Sequence, residues 1–108
     1  MAFTRKVLAF GQMPSTKGTL YDPTTGKSGL IHNWTIHNTN TTNETVQIYY
    51  HNGTNEYKIF NMVVTAGDTA VMDFGNEGFI VDTAGYITGL TTTASKVTFK
   101  FDGTEESV

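Results

Sequence analysis

The sequence predicts an all-β fold, because short apolar segments alternate with turn-forming clusters along nearly the whole chain. Side chains alternate between apolar and polar at 30–36, 46–50 and 97–101, which is the period of a half-buried strand. Thr, Asn and Gly clusters interrupt these segments every eight to twelve residues or so, a spacing typical of antiparallel sandwiches. No stretch keeps a helical period over three turns.

Taken in order, the apolar segments predict the individual strands. They lie at 7–10, 19–21, 30–38, 44–51, 57–65, 69–74, 79–81, 86–90 and 96–102. Asn52-Gly53 is a strong hairpin signal, and the polar run 38–43 is predicted to be a second hairpin loop. These nine segments come close to the eight strands of two four-stranded antiparallel sheets, and the prediction is a jelly-roll-like sandwich of about eight strands.

The faces of the best alternating strands predict the core. In 30–38 the inward face carries Leu30, His32, Trp34 and Ile36, because successive strand residues point to opposite sides. The predicted core residues are Trp34, Ile36, Val46, Ile48, Phe99 and Phe101.

Segment 57–65 differs from the others because it is apolar on both faces. Ile59, Phe60, Met62, Val63 and Val64 leave it without a polar side. A strand of this kind lies either in the middle of a covered sheet or against a neighbouring molecule. The segment therefore predicts a homo-oligomer or a bound state unless the monomer buries both faces.

Length and composition indicate one domain, spanning residues 1–108, without disulfides. The chain has 108 residues, a formal charge of −3 and no cysteine. The basic residues are scattered, so no basic stripe for nucleic acid is present. The short run 7–10 is too brief for a signal sequence, and no segment is long enough to predict a membrane-spanning helix.

Residue types that could carry chemistry do not form a recognisable site, so no catalytic residue, cofactor or metal is predicted. His32 and His37 fall on opposite faces of one strand, while His37 and His51 could be neighbours across a hairpin. A zinc site would need further ligands. Tyr49 and Tyr57 are the tyrosines expected to be most exposed, which leaves carbohydrate binding as a minority interpretation.

Several phrases in order resemble a family of small tailed-phage virion proteins. They include Leu20-Tyr-Asp-Pro23, Gly29–Thr39 with Trp34 at its centre, Val64-Thr-Ala-Gly-Asp-Thr-Ala-Val71 and Lys96-Val-Thr-Phe-Lys-Phe-Asp-Gly103. The resemblance covers roughly residues 7–105, and the chain departs from it at 22–27. It implies a jelly-roll-like fold, often trimeric, that serves as a capsid decoration or cement protein or as a tail appendage.

The resemblance and the apolar segment together predict a non-enzymatic virion protein. The expected partners are the major capsid protein or other virion subunits, and further copies of the chain, with a trimer favoured by the resemblance; neither nucleic acid nor a membrane is expected. The expected location is the virion, with the capsid surface favoured over the tail, after synthesis in the bacterial cytoplasm. The alternative is a tail or fibre component that binds host glycan.

Partner contacts are predicted at both ends of the chain and on exposed aromatic and apolar positions. The predicted partner-binding residues are Arg5, Lys6, Tyr49, Tyr57, Phe60 and Met62. The ends near 1–6 and 104–108 lack apolar alternation, so they are expected to be flexible arms that order on a neighbouring subunit.

Overall fold

The structure is a computed structural model that describes residues 6–107, and these form nine strands without a helix. The bounds of the strands, in chain order, are β1 (Lys6–Gln12), β2 (Gly18–Tyr21), β3 (Lys27–Asn38), β4 (Glu44–His51), β5 (Glu56–Val64), β6 (Thr69–Asp73), β7 (Phe79–Val81), β8 (Tyr86–Thr91) and β9 (Val97–Ser107). The prediction of an all-β chain is confirmed.

The strands make two antiparallel sheets that pack into a sandwich. The first sheet has the order β1-β9-β3-β6, with β7 also paired to β3, and the second has the order β2-β8-β4-β5. The pairs are nested, since β1 joins β9, β2 joins β8, β3 joins β6 and β4 joins β5. This nesting is the topology of a jelly roll, a long hairpin rolled onto itself.

The predicted core is confirmed in all six of its residues. Trp34, Ile36, Val46, Ile48, Phe99 and Phe101 are all buried between the sheets. Around the Trp34 ring lie the rings of Phe60, Phe74 and Phe101, with centroids 5.6, 5.0 and 5.3 Å away. Such aromatic contacts add to the stabilisation that comes from burial alone.

The inward face of β3 changes at a bulge that the alternation does not reveal. The pairing with β9 shifts between Ile31 and Asn33, and a bulge lets two neighbouring residues oppose one partner. Ile31 and His32 are therefore both buried, whereas Leu30 is only half-buried. The predicted inward face is right from His32 onward and wrong at Leu30.

The connection from β3 to β4 is a crossover and not the predicted hairpin. β3 lies in one sheet and β4 in the other, so residues 39–43 carry the chain across the top of the sandwich. His37 and His51 therefore belong to different sheets and are not the hairpin neighbours that the sequence suggested. The Asn52-Gly53 signal is correct, because β4 and β5 pair and Gly53 has a φ of 98°.

The acidic tail is also different from its prediction. β9 continues to Ser107, and its last residues pair with β3 from Lys27 to Gly29. Lys6 is paired as well, opposite Gly103. Residues 104–107 thus extend the sheet in the structure, and the expectation of a loose end there is corrected. The expected arm at 1–5 lies outside the described residues.

Candidate assembly surface

β5 and β6 are the outermost strands of their sheets, and they lie at the same side of the sandwich. Each stands at the end of its sheet order, and residues 65–68 join them directly. Of the nine large apolar side chains that are exposed in residues 6–107, six belong to these two strands. We call these six the edge patch: Tyr57, Ile59, Met62, Val63, Val71 and Met72.

The register of β5 explains why its apolar side chains are exposed on both faces. Phe60 and Met62 lie opposite Ile48 and Val46, so they point to the core side. Val63 lies opposite Thr45 on the outer face. Met62 is nevertheless 43% exposed and Val63 56%, because no described strand covers the far side of β5.

β6 repeats this arrangement on the other sheet. Met72 lies opposite Trp34 on the core side, and Val71 lies opposite Thr35 on the outer face. Val71 is 66% exposed. Two free strand edges with apolar side chains thus lie next to each other, and exposed edges of this kind tend to pair with another chain.

Three of the predicted partner-binding residues come together on β5. Tyr57 is 53% exposed and Met62 is part of the same patch, while Phe60 is half-buried against Trp34. Because β5 is an edge strand, the interpretation that it lies in the middle of a sheet is wrong. The interpretation as a contact surface remains a prediction.

Tyr49 lies apart from the edge patch, on the outer face of the second sheet. The Lys17 ammonium sits 3.9 Å from the centre of its ring, and the Lys58 ammonium lies at 5.7 Å. Its hydroxyl donates a hydrogen bond to Gln47 Oε1 at 2.7 Å. A ring with a lysine over its face offers less surface for stacking on a sugar.

Lys17 also forms an ion pair with Glu56 beside this ring. The hydrogen bond from Lys17 lowers the pKa of Glu56, and a second bond from the Thr88 hydroxyl adds to the effect. The same hydrogen bond raises the pKa of Lys17. This cluster links the loop before β2 to β5 and β8 on the outer face of the second sheet.

Of the two basic residues predicted to bind a partner, the structure describes only Lys6. Lys6 is the first residue of β1, and its ammonium lies 3.2 Å from Glu105 Oε1. It therefore sits at the far side of the sandwich from the edge patch, and the structure gives it a contact within the chain. Arg5 lies outside the described residues.

Sequence reasoning missed the β6 half of the edge patch. The alternation of Ala70, Met72 and Phe74 predicted that these side chains point inward. Ala70 and Met72 do point to the core side, since they lie opposite Ile36 and Trp34. The alternation could not show that β6 ends its sheet. The exposure of Phe10 at 69% and of Ile80 at 61% was missed for the same reason.

Residue types that can bind metal occur in residues 6–107 but do not gather at one point. These residues contain no group of three or more His, Asp or Glu side chains that could hold a metal ion together. The rings of His32, His37 and His51 instead form one hydrogen bond each, with Gly75 O, Thr69 Oγ1 and the Gly53 amide. The described part of the chain has no helix that could cross a membrane.

Comparison with known proteins supports the fold. No family model and no curated protein matches the chain. The chain is similar to a solved structure of the disulfide-linked pili of Bacillus endospore appendages, with 14% identity over 98% of this chain and 88% of that chain and a TM-score of 0.59. It is also similar to a structure of naturally occurring empty particles of cowpea mosaic virus, with 12% identity over 100% and 85% of the two chains and a TM-score of 0.51.

At these identities the similarity extends to the fold alone. The pili of the first structure are described as disulfide-linked, whereas this chain has no cysteine. If this chain assembles, it does so through contacts that are not disulfides.

Proposed function

We propose that this protein is a non-enzymatic structural subunit of a tailed-phage virion, and that it acts as a capsid decoration protein on the major-capsid lattice. The observation that carries the proposal is the edge patch, because two free strand edges with exposed apolar side chains lie side by side. Monomeric proteins usually blunt such edges, and an apolar patch on a surface marks a binding site.

The physical role follows from this surface. A small rigid domain that binds across neighbouring shell subunits adds buried apolar area, and that area stabilises the shell against the pressure of packaged DNA. A jelly roll is suited to this role because its core is closed by the two sheets. The free sides of the edge strands are therefore available for binding. Proteins of similar fold occur in a pilus and in a virus particle, so the fold is compatible with assembly.

The alternative, a tail or fibre component that binds host glycan, has less support. Its best aromatic candidate, Tyr49, lies beneath Lys17. Tyr57 is exposed, but it belongs to the edge patch.

The experiment is a density map of an intact particle from a phage that encodes this chain, together with protein identification in the same purified particles. Density of this size on the outside of the capsid is the expected result. Density on the tail would favour the glycan alternative, and absence from the particle would reject both.

Two variants test whether the edge patch is the surface that binds the particle. Met72→Lys places a charge within the patch, whereas Val7→Lys places the same charge on β1 at the opposite side of the sandwich, where Val7 is 49% exposed. Met72→Lys should lower the occupancy on particles and Val7→Lys should not. Equal occupancy of the two variants would contradict the assignment of the surface.

A further inference from the structure

The strands that end the two sheet orders differ in length and in protection. β5 has nine residues, compared with seven in β1, five in β6 and four in β2. It contains no proline and one lysine, Lys58, and a bulge leaves Ile59 unpaired between Lys58 and Phe60 in the ladder with β4. Lysine and bulges both protect an edge, but the length of β5 offers another strand more backbone groups than any other edge does.

The sequence of β5 is nearly palindromic around Asn61. It reads Ile59-Phe60-Asn61-Met62-Val63, with two apolar residues on each side of one amide. We propose that β5 pairs antiparallel with β5 of a second copy of this chain, across a two-fold axis at Asn61. A two-fold contact requires a surface that is complementary to itself, and this segment has that property.

The proposed register matches side chains that suit each other. Phe60 lies opposite Met62 of the second copy, and Ile59, which forms the bulge in β5, meets Val63. The two Asn61 amides face each other, and each can donate and accept one hydrogen bond. An axis moved by one residue, to Phe60 or to Met62, would place Asn61 opposite Ile59 or Val63 and leave the amide against an apolar group.

The charges near the axis are compatible with this pairing. In the proposed register Glu56 and Lys58 face the segment 63–66 of the second copy, which carries no charge, so no like charges face each other across the strands. The two second sheets would join into one continuous sheet of eight strands. The adjoining β6 edges would approach each other, which would cover Met62 and Met72.

This inference concerns the free protein and is tested without the particle. Because the dimer would cover Met62 and Met72 of the edge patch, the dimer contact would have to open before the patch binds a shell. The inference predicts an isologous dimer, whereas the family resemblance implied a trimer. The mass of the protein in solution distinguishes a dimer from a trimer. Binding to particles is measured separately, so the dimer and the virion role can fail independently.

The first test uses cysteine, because the natural chain has none. Facing residues of an antiparallel pair have Cα atoms about 4.5–5.5 Å apart, within the range of about 4.4–6.8 Å that a disulfide needs. Asn61→Cys should therefore form a cross-linked dimer under mild oxidation. Val7→Cys, an exposed position on β1 at the opposite side of the sandwich, is the control for random collision, and equal cross-linking of both variants would overturn the proposal.

The second test measures mass by light scattering. The natural protein should have the mass of two chains, and Asn61→Lys should weaken the dimer about fivefold because it places like charges opposite each other. Asn76→Lys adds the same charge in an exposed turn and should leave the dimer intact. Thermal melting of both variants checks that they fold; a mass of one or three chains for the natural protein, or an unchanged dimer in Asn61→Lys, would reject the β5 contact.

Discussion

The Tyr21 hydroxyl donates a hydrogen bond of 2.7 Å to Glu105 Oε2, joining two residues that are 84 positions apart in the chain. Thr24 adds bonds from its amide and its hydroxyl to the same carboxylate, at 3.2 and 2.9 Å. The Lys6 ammonium supplies the fourth contact. This cluster fastens the end of β9 to β1, β2 and the loop after β2, which explains why the acidic end of the chain continues the sheet.

Glu105 should make the stability of the fold depend on pH in the acidic range. Burial alone would raise the pKa of Glu105, but the hydrogen bonds from Tyr21, Thr24 and Lys6 outweigh it and lower this pKa to about 2. Because the folded pKa lies below the unfolded one, the stabilisation is fully present above about pH 4.5 and is lost as the pH falls towards 2. Its size is about 2–3 kcal/mol.

The measurement compares urea unfolding of the natural protein and Glu105→Gln between pH 7 and pH 2. The difference in unfolding free energy between the two proteins should shrink as the pH falls, because Glu105 becomes protonated in the natural protein. The other carboxylates titrate in both proteins, so their effect cancels in this difference. Glu106→Gln, at the exposed neighbouring position, should show little difference at any pH. A Glu105→Gln difference that is constant with pH would contradict the assignment.

Tyr21→Phe should remove the donor without removing the ring. Burial and the neighbouring Glu105 both raise the pKa of the Tyr21 hydroxyl, so it stays protonated and donates. Its loss should destabilise the fold by about 1.5–3 kcal/mol, as for hydrogen bonds to charged groups, and should raise the pKa of Glu105 in a carboxyl titration followed by NMR. Tyr57→Phe, at an exposed ring, is the control; a Glu105 pKa unaffected by Tyr21→Phe would refute the coupling.

Gly29→Ala should disturb the same cluster from the opposite side. A Cβ at Gly29 would overlap the Tyr21 hydroxyl, whereas a Cβ at Gly11 would meet Phe99 at an ordinary 3.6 Å. Gly29→Ala should therefore destabilise by about 1–3 kcal/mol, as overpacking does. Gly11→Ala, also in a strand of the first sheet, should change chemical-denaturation midpoints much less, and similar losses in both variants would disprove the steric explanation.

Phe99→Ala should destabilise the fold by about 3–5 kcal/mol, because it leaves a cavity between the sheets. Phe99 is 6% exposed and packs on Phe101 at a centroid distance of 5.4 Å. Phe10→Ala removes the same ring from a position that is 69% exposed and should stay within about 0.5 kcal/mol. Urea unfolding measures both, and a loss below about 1 kcal/mol for Phe99→Ala would show that its packing contributes little.

The alternation of apolar and polar residues was enough to predict those strands that have one face against the core and the other in water. In β4 and in the first half of β9, apolar side chains pack inward and polar ones meet water, so burial leaves a period of two in the sequence. The bounds of β4 were predicted without error, and Phe99 and Phe101 were correctly placed in the core. The bulge at Ile31 and His32 was not predictable in this way, since either residue could occupy an inward position.

The candidate surface was only half predictable. The apolar residues on both faces of β5 indicated a contact surface or a central strand, and periodicity does not distinguish these two positions. The nested pairing decided between them by placing β5 at an edge, and it brought β6 to the same side.

The sequence by itself determined that the chain is an antiparallel β-sandwich and which aromatic side chains fill it, because both depend on local alternation and on side-chain size. Only the tertiary structure decided which strands lie at the edges and which residues hold the Glu105 carboxylate. Edge position depends on pairing between distant segments, and Glu105 is held by Tyr21 and Thr24 from the other end of the chain. The residues around Glu105 in the sequence do not indicate these distant partners. The acidic end therefore appears loose in the sequence, although residues more than 80 positions away hold it in the structure.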